Sequence, residues 1–195
     1  MDGFQRRKEQ KKKDILKAAL ALFMEYGIQK VSITEIAKKA NVSQVTIYNY
    51  FESKHNLIHE VFIYYVDHAY SDAEQIVYSD LPFPKKIEQL TFNKKEVANQ
   101  INEEFYHFIM KEYTTHGSYI EEIYVEKAIP LYNDLFAEGR EEGYIDPSLS
   151  NEAIMFYIQM LKDYIQREDV YKNILPLTEE ITKIFFYGIV GKKRD

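Results

Sequence analysis

The chain contains no cysteine, so it has neither disulfide bonds nor thiolate ligands for a metal. Its longest apolar run is AALALFM, residues 18–24, which is far shorter than the roughly 20 residues that span a bilayer. The basic stretch RRKEQKKKD stands near the N-terminus, where a signal peptide would have an apolar segment. These absences predict a soluble cytoplasmic protein with no membrane partner.

Motifs of common catalytic sites are also missing: the sequence has no G-x-S-x-G, no H-E-x-x-H and no phosphate-binding P-loop. His55 and His59 stand four residues apart, as two metal ligands on one helical face would, but no third ligand has the spacing to complete a site. We therefore expect a protein that is not an enzyme and that has no metal and no cofactor.

Positive charge is in deficit overall, with a net charge of −6, but it is unevenly distributed. The first 55 residues carry 11 Lys and Arg against 6 Asp and Glu, whereas the remaining 140 carry 14 against 25. A basic N-terminal module beside an acidic remainder indicates that the N-terminal part meets a polyanion such as nucleic acid. A solvated basic tail would give the same counts, so charge alone does not choose between the two.

Apolar residues recur at intervals of three and four along almost the whole chain, and no segment shows the alternation of a β-strand. The sequence therefore predicts an all-α fold of about nine helices. After four helices in the N-terminal part and a break at SDLPFP, helices are expected near residues 84–94, 96–114, 118–142, 150–167 and 177–190. Pro130 is expected to kink the longest of these.

The ends of the first helices carry recognisable signals. Gly27 is expected to end the first helix, and Ser32 with Glu35 to form a capping box at the start of the second. Ser43 and Ser53 are expected to cap the third and fourth helices.

Residues 32–51 are thus predicted to form a helix, a short turn and a second helix, the arrangement whose second helix enters the DNA major groove. The inner residues of this second helix, Ile47 and Phe51, are expected to hold it against the core. On its outer side, Gln44 can pair with an adenine edge and Val45 can contact a thymine methyl group. Three hydroxyl-bearing residues are expected to bind phosphates: Thr46, Tyr48 and Tyr50.

The segment SITEIAKKANVSQVTIYNYFESKHNLI, with ILKAALALFMEYG before it, resembles the DNA-binding domain of the TetR family of bacterial transcriptional regulators. The family pattern is T-x-x-x-[IL]-A-x-x-A-G-V-S-x-x-x-[LI]-Y-x-[YH]-F-x-[ST]-K-x-x-L, and the resemblance covers about residues 12–61. Two positions depart from the family: Asn41 stands where Gly is usual, and Val45 stands where Gly is common. Asparagine tolerates the left-handed conformation that a turn requires.

The resemblance implies a three-helix DNA-binding domain over residues 1–55, followed by a helical bundle over residues 56–195 for effector binding and dimerisation. Nine residues fall on positions that contact DNA in the family: Ser32, Thr34, Gln44, Val45, Thr46, Tyr48, Asn49, Tyr50 and Lys54. Six basic residues before the first helix are expected to form a solvated tail that becomes ordered only on DNA: Arg6, Arg7, Lys8, Lys11, Lys12 and Lys13.

Two apolar sets in the second domain are interpreted through the resemblance. The last two predicted helices are expected to form a homodimer interface through Ile154, Ile158, Leu161, Ile165, Ile181 and Phe185. The sixth and seventh are expected to wall an effector pocket with Phe105, Tyr106, Phe108, Ile109, Tyr113 and Tyr124, since tyrosine supplies both apolar surface and a hydroxyl. Either set is also compatible with ordinary intramolecular core.

Pattern and resemblance together predict a sequence-specific repressor that binds a palindromic operator in double-stranded DNA as a homodimer and is released by a small-molecule effector. The alternative is an enzyme or ligand carrier built on a helical bundle, in which the helix-turn-helix is incidental. An enzyme would be expected to bring titratable groups together, and the sequence shows no such set.

Overall fold

Helices and the turns between them make up the described fold. A computed structural model of the chain describes residues 3–90, 101–115, 117–165, 170, 175–177, 180–181 and 183–184. All regular secondary structure in these ranges is helical, which confirms the all-α fold class.

The α-helices follow one another in the order α1, Gly3–Tyr26; α2, Ile33–Lys39; α3, Gln44–Phe51; α4, Lys54–Val77; α5, residues 83–90; α6, Glu103–Thr114; α7, Tyr119–Ile123; α8, Ile129–Glu141; and α9, Asn151–Ile165. A π-helical segment, Tyr124–Ala128, connects α7 to α8, and a 3₁₀ turn follows α9 at Leu175–Leu177. The last predicted helix, residues 177–190, lies mostly outside the described residues, of which 180–181 and 183–184 are helical.

Serine side chains begin the helices of the N-terminal part as predicted. The Ser32 hydroxyl accepts the amide of Glu35, and the Glu35 carboxylate accepts the amide of Ser32, so the capping box of α2 is present. Ser43 and Ser53 each accept an amide from the first turn of the helix that follows. These bonds define where α2, α3 and α4 begin, because each satisfies an amide that has no partner within its helix.

The long helix predicted over residues 118–142 is divided. In the π-helical segment the amide of Ile129 bonds to the carbonyl of Tyr124, five residues earlier. α8 then has Pro130 in its first turn, where the missing N–H of proline removes no helical hydrogen bond. The chain thus accommodates the proline by a wider turn before it.

The helix predicted from residue 96 is described only from Glu103. The side chain of Asn102 accepts the amide of Glu104 and so caps α6 at this point. Residues 96–100 of the predicted helix lie outside the described residues, and residues 101 and 102 are not helical.

The chain divides into two compact units. Unit 1 consists of residues 1–69 and 100–121, and unit 2 consists of residues 70–99 and 122–195. Unit 1 therefore combines α1, α2, α3 and most of α4 with α6, which comes much later in the chain. The compact units divide within α4, after Ala69. The predicted boundary at residue 55 concerns function rather than compactness, so it stays a prediction.

The core of unit 2 contains residues from α4, α5, α8, α9 and the loop before α9: Val77, Phe83, Leu131, Leu135, Phe136, Ile145 and Ile154. Gly139 allows α8 to approach this cluster, because a Cβ there would lie 2.7 Å from the ring of Phe83. The close packing of α8 against Phe83 therefore depends on the glycine at position 139.

One lysine is buried in unit 2. Lys86 is 4% exposed, and its ammonium donates to the carbonyl of Val77 and to both carboxylate oxygens of Glu138, each at 2.7 Å. These acceptors use all three N–H bonds, as a buried ammonium requires. Lys86 thereby joins the end of α4 to α5 and α8.

Candidate nucleic-acid interface

The chain turns between α2 and α3 at Asn41. The φ of Asn41 is 53°, in the left-handed region, and the amide of Val42 bonds to the carbonyl of Ala37 at 3.0 Å. Asparagine adopts this conformation more readily than most residues other than glycine. The turn therefore forms without the glycine that is usual at this position.

Helix α3 has one buried and one exposed side. Ile47 and Phe51 are 1% and 3% exposed, and burial of each contributes about 1.5–3 kcal/mol. On the other side Val45 is 68% exposed and Tyr48 is 47% exposed, with Gln44 and Asn49 exposed beside them. The helix thus presents amides, a hydroxyl and an apolar branched side chain from a fixed position.

Some of the predicted DNA-contacting residues are already hydrogen-bonded to one another or to caps. Gln44 Nε2 donates to Thr34 Oγ1 at 3.0 Å, and the hydroxyls of Thr46 and Ser43 lie 2.8 Å apart. The Ser32 hydroxyl donates to the Glu35 carboxylate at 2.6 Å, and this bond, together with the Ser32 amide, lowers the pKa of Glu35 below its usual value. The side chains of this surface are therefore oriented before any ligand arrives.

Tyr50 and Lys54 bond to backbone carbonyls of their own chain. The Tyr50 hydroxyl donates to the carbonyl of Lys8 at 3.2 Å, and Lys54 Nζ donates to the carbonyl of Ile28 at 2.9 Å. An ammonium has three N–H bonds, so Lys54 can bind a phosphate and Ile28 together. The single O–H of Tyr50 cannot, so its predicted phosphate contact requires the bond to Lys8 to break.

The basic N-terminal stretch is helical, which corrects the prediction of a tail that orders only on DNA. α1 begins at Gly3, so the six predicted basic residues all lie within it. Lys12 pairs with Glu60 of α4 at 2.9 Å and lies 6.0 Å from the ring centre of Phe51. With the Tyr50–Lys8 bond, this pair fastens the extension of α1 beside α3 and α4.

Helix α6 is fastened to the loop that follows α1. The amide of Asn102 donates to the carbonyl of Met24 at 2.7 Å, and the amide of Gln29 donates to Glu104 Oε1 at 3.1 Å. Gly27 lies between these contacts with a φ of +85°, and a Cβ at this position would overlap Glu104 Oε2. Gly27 ends α1 as predicted and also permits the approach of α6.

Comparison with known proteins identifies the helix-turn-helix. Residues 15–61 match the profile of the family described as bacterial regulatory proteins, tetR family. The match covers about a quarter of the chain and shows that residues 15–61 are similar to tetR-family regulators. This confirms the resemblance that the segment from Ser32 to Ile58 carries.

Curated relatives and solved structures are consistent with this match. The HTH-type transcriptional regulator YhgD of Bacillus subtilis is 32% identical over 82 residues, which are 42% of this chain and 43% of YhgD. The HTH-type transcriptional repressor KstR2 of Mycobacterium tuberculosis is 23% identical over 155 residues, covering 75% of this chain and 74% of KstR2. The chain spans less than half the length of the first curated relatives it matches.

The similarity in fold extends over nearly the whole chain. The crystal structure of a TetR transcription regulatory protein from Mycobacterium vanbaalenii has a TM-score of 0.65 at 16% identity and covers 96% of this chain and 99% of its own. The solved structure of KstR2, described as a ketosteroid transcriptional regulator, has a TM-score of 0.54 at 19% identity and covers 93% of this chain and 95% of its own. At these identities the comparison establishes the tetR-family fold.

The predicted effector residues on α6 pack mainly into the core of unit 1. Phe105 is fully buried, with its ring centre 6.3 Å from that of Phe23 and 5.9 Å from that of Tyr65. Ile109 is 3% exposed, and Phe108 meets the ring of Phe62 edge-on at 5.8 Å. These three residues therefore pack α6 against α1 and α4. The sequence-based prediction placed them in the walls of a pocket and did not include this core contact.

The structure shows fewer contacts for the other predicted effector residues. Tyr106 and Tyr124 are half-buried, the first in α6 and the second in the π-helical segment of unit 2. The side chain of Tyr113 lies outside the described residues. Their contact with an effector stays a prediction.

The apolar face of α9 that was predicted to form the dimer interface is buried at the N-terminal end of the helix. Ile154 is 3% exposed within the core of unit 2 and Ile158 packs against that core, whereas Leu161 and Ile181 are half-buried. The side chain of Ile165 and the whole of Phe185 lie outside the described residues. Ile154 is therefore a core residue of unit 2, which corrects its predicted place at a surface.

A different face of α9 is exposed. Phe156 is 73%, Met160 is 50% and Tyr164 is 54% exposed, each one helical turn after the last. Residues four apart lie on one side of a helix, so the three form a single apolar stripe. The spacing is visible in the sequence, but only the structure shows which of the two apolar faces of α9 is buried.

His55 and His59 lie in the lining of an open groove of about 300 Å³ between α3 and α4, together with Glu52 and Glu60. Within the described part of the chain, no three His, Asp or Glu side chains are grouped as metal ligands would be.

No described helix combines the length and the apolar character needed to cross a bilayer.

The junction of α6 with the α1–α2 loop gives a testable expectation. Gly27→Ala should destabilise the protein by about 1–2 kcal/mol through its positive φ and by about 1 kcal/mol more, because the new methyl group displaces Glu104 from the Gln29 amide. Gly117, also in unit 1, has a φ of +75°, and a Cβ there would meet no other group within 4 Å, so Gly117→Ala should show the conformational cost alone. Urea unfolding of both variants measures the difference, and equal losses would contradict the role given to Glu104.

Proposed function

We propose that the protein is a sequence-specific DNA-binding transcriptional regulator, and specifically a repressor that a small-molecule effector releases from its operator. The observation that carries the proposal is the outer side of α3, where Gln44, Val45, Tyr48 and Asn49 are exposed on a helix anchored by Ile47 and Phe51. The name of KstR2, a repressor, supports the direction of regulation.

The chemistry of this surface suits the DNA major groove. An amide such as that of Gln44 reads donor and acceptor groups on a base edge, and an exposed branched side chain such as Val45 suits a thymine methyl group. Asn49, Tyr48 and the Lys54 ammonium have the donors to bind phosphate or base. The surface therefore provides both sequence readout and backbone binding.

The basic start of α1 supports the same partner. Its positive side chains are carried by a helix that Tyr50 and Lys12 hold beside the recognition helix. A helix fixed in this way can place its remaining basic residues near the phosphates without the ordering cost of a disordered tail. These contacts are independent of base sequence and add affinity and salt dependence.

The alternative function, an enzyme or a ligand carrier with an incidental helix-turn-helix, has less support. Most of the described pKa shifts belong to tyrosines whose hydroxyls are buried or bonded to carboxylates, such as Tyr70, whose burial raises its pKa to about 12. Catalytic sites bring perturbed acids, bases and nucleophiles together in one cleft. No such convergence occurs in the residues that the structure describes.

We infer a homodimer formed through the exposed stripe of α9, Phe156, Met160 and Tyr164. Contiguous exposed apolar surface marks protein interfaces, and a two-fold dimer presents two recognition helices to two half-sites. For successive major grooves these helices must lie about 34–36 Å apart. The predicted interface residues Leu161 and Ile181, which are half-buried, are placed at the margin of this contact.

Effector control is proposed to act through α6 and α4. α6 binds the α1–α2 loop through Asn102 and Glu104, and α4 has Leu57, Val61 and Phe62 in the core of unit 1 and Val77 in the core of unit 2. A ligand that displaces α6 changes the position of α1 and α4 and with it the separation of the recognition helices. An apolar or aromatic compound, neutral or cationic, is favoured by the tyrosine-rich and acidic composition after residue 55.

Replacement of Gln44 tests the DNA-binding function. Selection from a random duplex library should give a palindromic motif for the parent protein, and Gln44→Ala should lose about 1–3 kcal/mol of discrimination at one base position in each half-site. Gln75→Ala, at an exposed glutamine of α4 in unit 2, should leave motif and affinity unchanged. Fluorescence anisotropy measures the affinities, and the same motif for the parent and Gln44→Ala would contradict the proposal.

Replacement of Phe156 tests the dimer. Phe156→Glu should convert a dimer to monomers, because association would bury a carboxylate without a partner. Phe4, which is 67% exposed at the start of α1, provides the matched control, and Phe4→Glu should sediment as the parent does. Analytical ultracentrifugation at micromolar concentration measures both, and a monomeric parent would overturn the proposed interface.

Titration of an effector tests the switch. A compound found by its increase of the melting temperature should bind about 5–150-fold more weakly in the presence of operator, because coupling between two sites is reciprocal. Calorimetry with and without operator DNA gives the two affinities. Equal values would show that the compound does not control DNA binding.

A further inference from the structure

One hydrogen bond joins the two helices of the helix-turn-helix through side chains that face solvent. Gln44 Nε2 donates to Thr34 Oγ1 at 3.0 Å, and both residues are exposed. Gln44 is the first residue of α3, after its cap Ser43, and Thr34 lies in the first turn of α2. The first residues of a recognition helix are those that reach base edges, so the bond restrains a side chain at a reading position.

The orientation of the Gln44 amide decides which base it matches. A glutamine amide rotates about its last side-chain torsion between two broad states, which exchange its oxygen and nitrogen. Adenine offers N7 as an acceptor and its amino group as a donor, and therefore needs an N–H and an oxygen side by side. Guanine offers two acceptors, N7 and O6, and matches a pair of donors.

The bond to Thr34 selects the first of these patterns. It uses one of the two N–H bonds of Gln44 Nε2 and places the nitrogen toward α2. When the N–H trans to Oε1 makes this bond, the second N–H and Oε1 lie on the same edge of the planar amide, as a donor beside an acceptor. This is the pattern that adenine requires.

We propose that Thr34 is a positioning residue that sets the base preference of Gln44 for adenine. The proposal rests on the proposed DNA-binding function and extends it to the specificity of one base pair in each half-site. Thr34 acts through Gln44, which differs from the direct DNA contact that the family resemblance implies for this position.

Three variants separate positioning from a direct contact. Thr34→Val removes the hydroxyl and nearly preserves the shape, Thr34→Ser keeps the hydroxyl, and Gln44→Ala removes the reading side chain. Motifs selected from a random duplex library by full-length protein give the base preference of each variant. Circular dichroism melting shows that each variant is folded.

Thr34→Val should reduce the preference for adenine about 2- to 10-fold, the effect of one hydrogen bond, at the same base position that Gln44→Ala relaxes. Thr34→Ser should keep the preference of the parent. The double variant Thr34→Val/Gln44→Ala should show no further loss at that position, because the two residues act through one contact.

A measurement without DNA tests the geometry itself. In free protein labelled with ¹⁵N-glutamine, the side-chain amide signals of Gln44 are identified by their loss in Gln44→Ala. They should shift in Thr34→Val toward the positions of the exposed Gln5 and should stay in place in Thr34→Ser. Unchanged signals in Thr34→Val would overturn the proposal.

The outcomes with DNA distinguish this inference from the function on which it depends. If the parent selects no sequence, the DNA-binding function fails and the role of Thr34 fails with it. If the parent selects a motif and Thr34→Val weakens all bases equally, Thr34 binds phosphate directly and only the positioning role is overturned. An unchanged motif and affinity for Thr34→Val overturns the positioning role as well.

Discussion

An eight-residue helix such as α3 is too short to be stable in water by itself, so its position depends on the burial of Ile47 and Phe51. The geometry of the exposed side of α3 follows from this anchoring. With these two side chains fixed, Gln44, Val45 and Tyr48 face solvent in one geometry. The caps at Ser32 and Ser43 and the left-handed Asn41 then set the angle between α2 and α3 through local bonds.

Hydrogen bonds and ion pairs within the protein limit which basic and hydroxyl groups near α3 can bind a phosphate. Tyr50 and Lys12 use their polar groups to hold α1 beside α3 and α4, and Lys54 uses one of its three donors on the Ile28 carbonyl. A hydroxyl has a single hydrogen to donate, whereas an ammonium has three, so Lys54 keeps capacity for a phosphate that Tyr50 lacks. A residue type that suits DNA is therefore not sufficient evidence of a DNA contact.

The association of α6 with α1 and α4 connects distant parts of the chain. Glu104 accepts the Gln29 amide, and Phe105 and Phe108 pack against aromatic residues of α1 and α4. These contacts combine a directional bond with buried aromatic surface, so a shift of α6 acts on α1 and α4 together. The buried Lys86, bonded to the Val77 carbonyl, holds the other end of α4 in unit 2. Any control of α3 by a ligand therefore has a physical route through α4 and α6.

The sequence alone determined the helical class, the helix-turn-helix and its caps, because these depend on periodicity and on residues three or four apart. It also determined the left-handed turn at Asn41, a preference of the residue itself. Tertiary structure decided that Phe105 is core, that Phe156 rather than Ile154 faces outward, and that Thr34 meets Gln44. These outcomes depend on which of several apolar or polar faces finds a partner elsewhere in the chain, and contacts such as Gln29 with Glu104, 75 residues apart, leave no periodic signal.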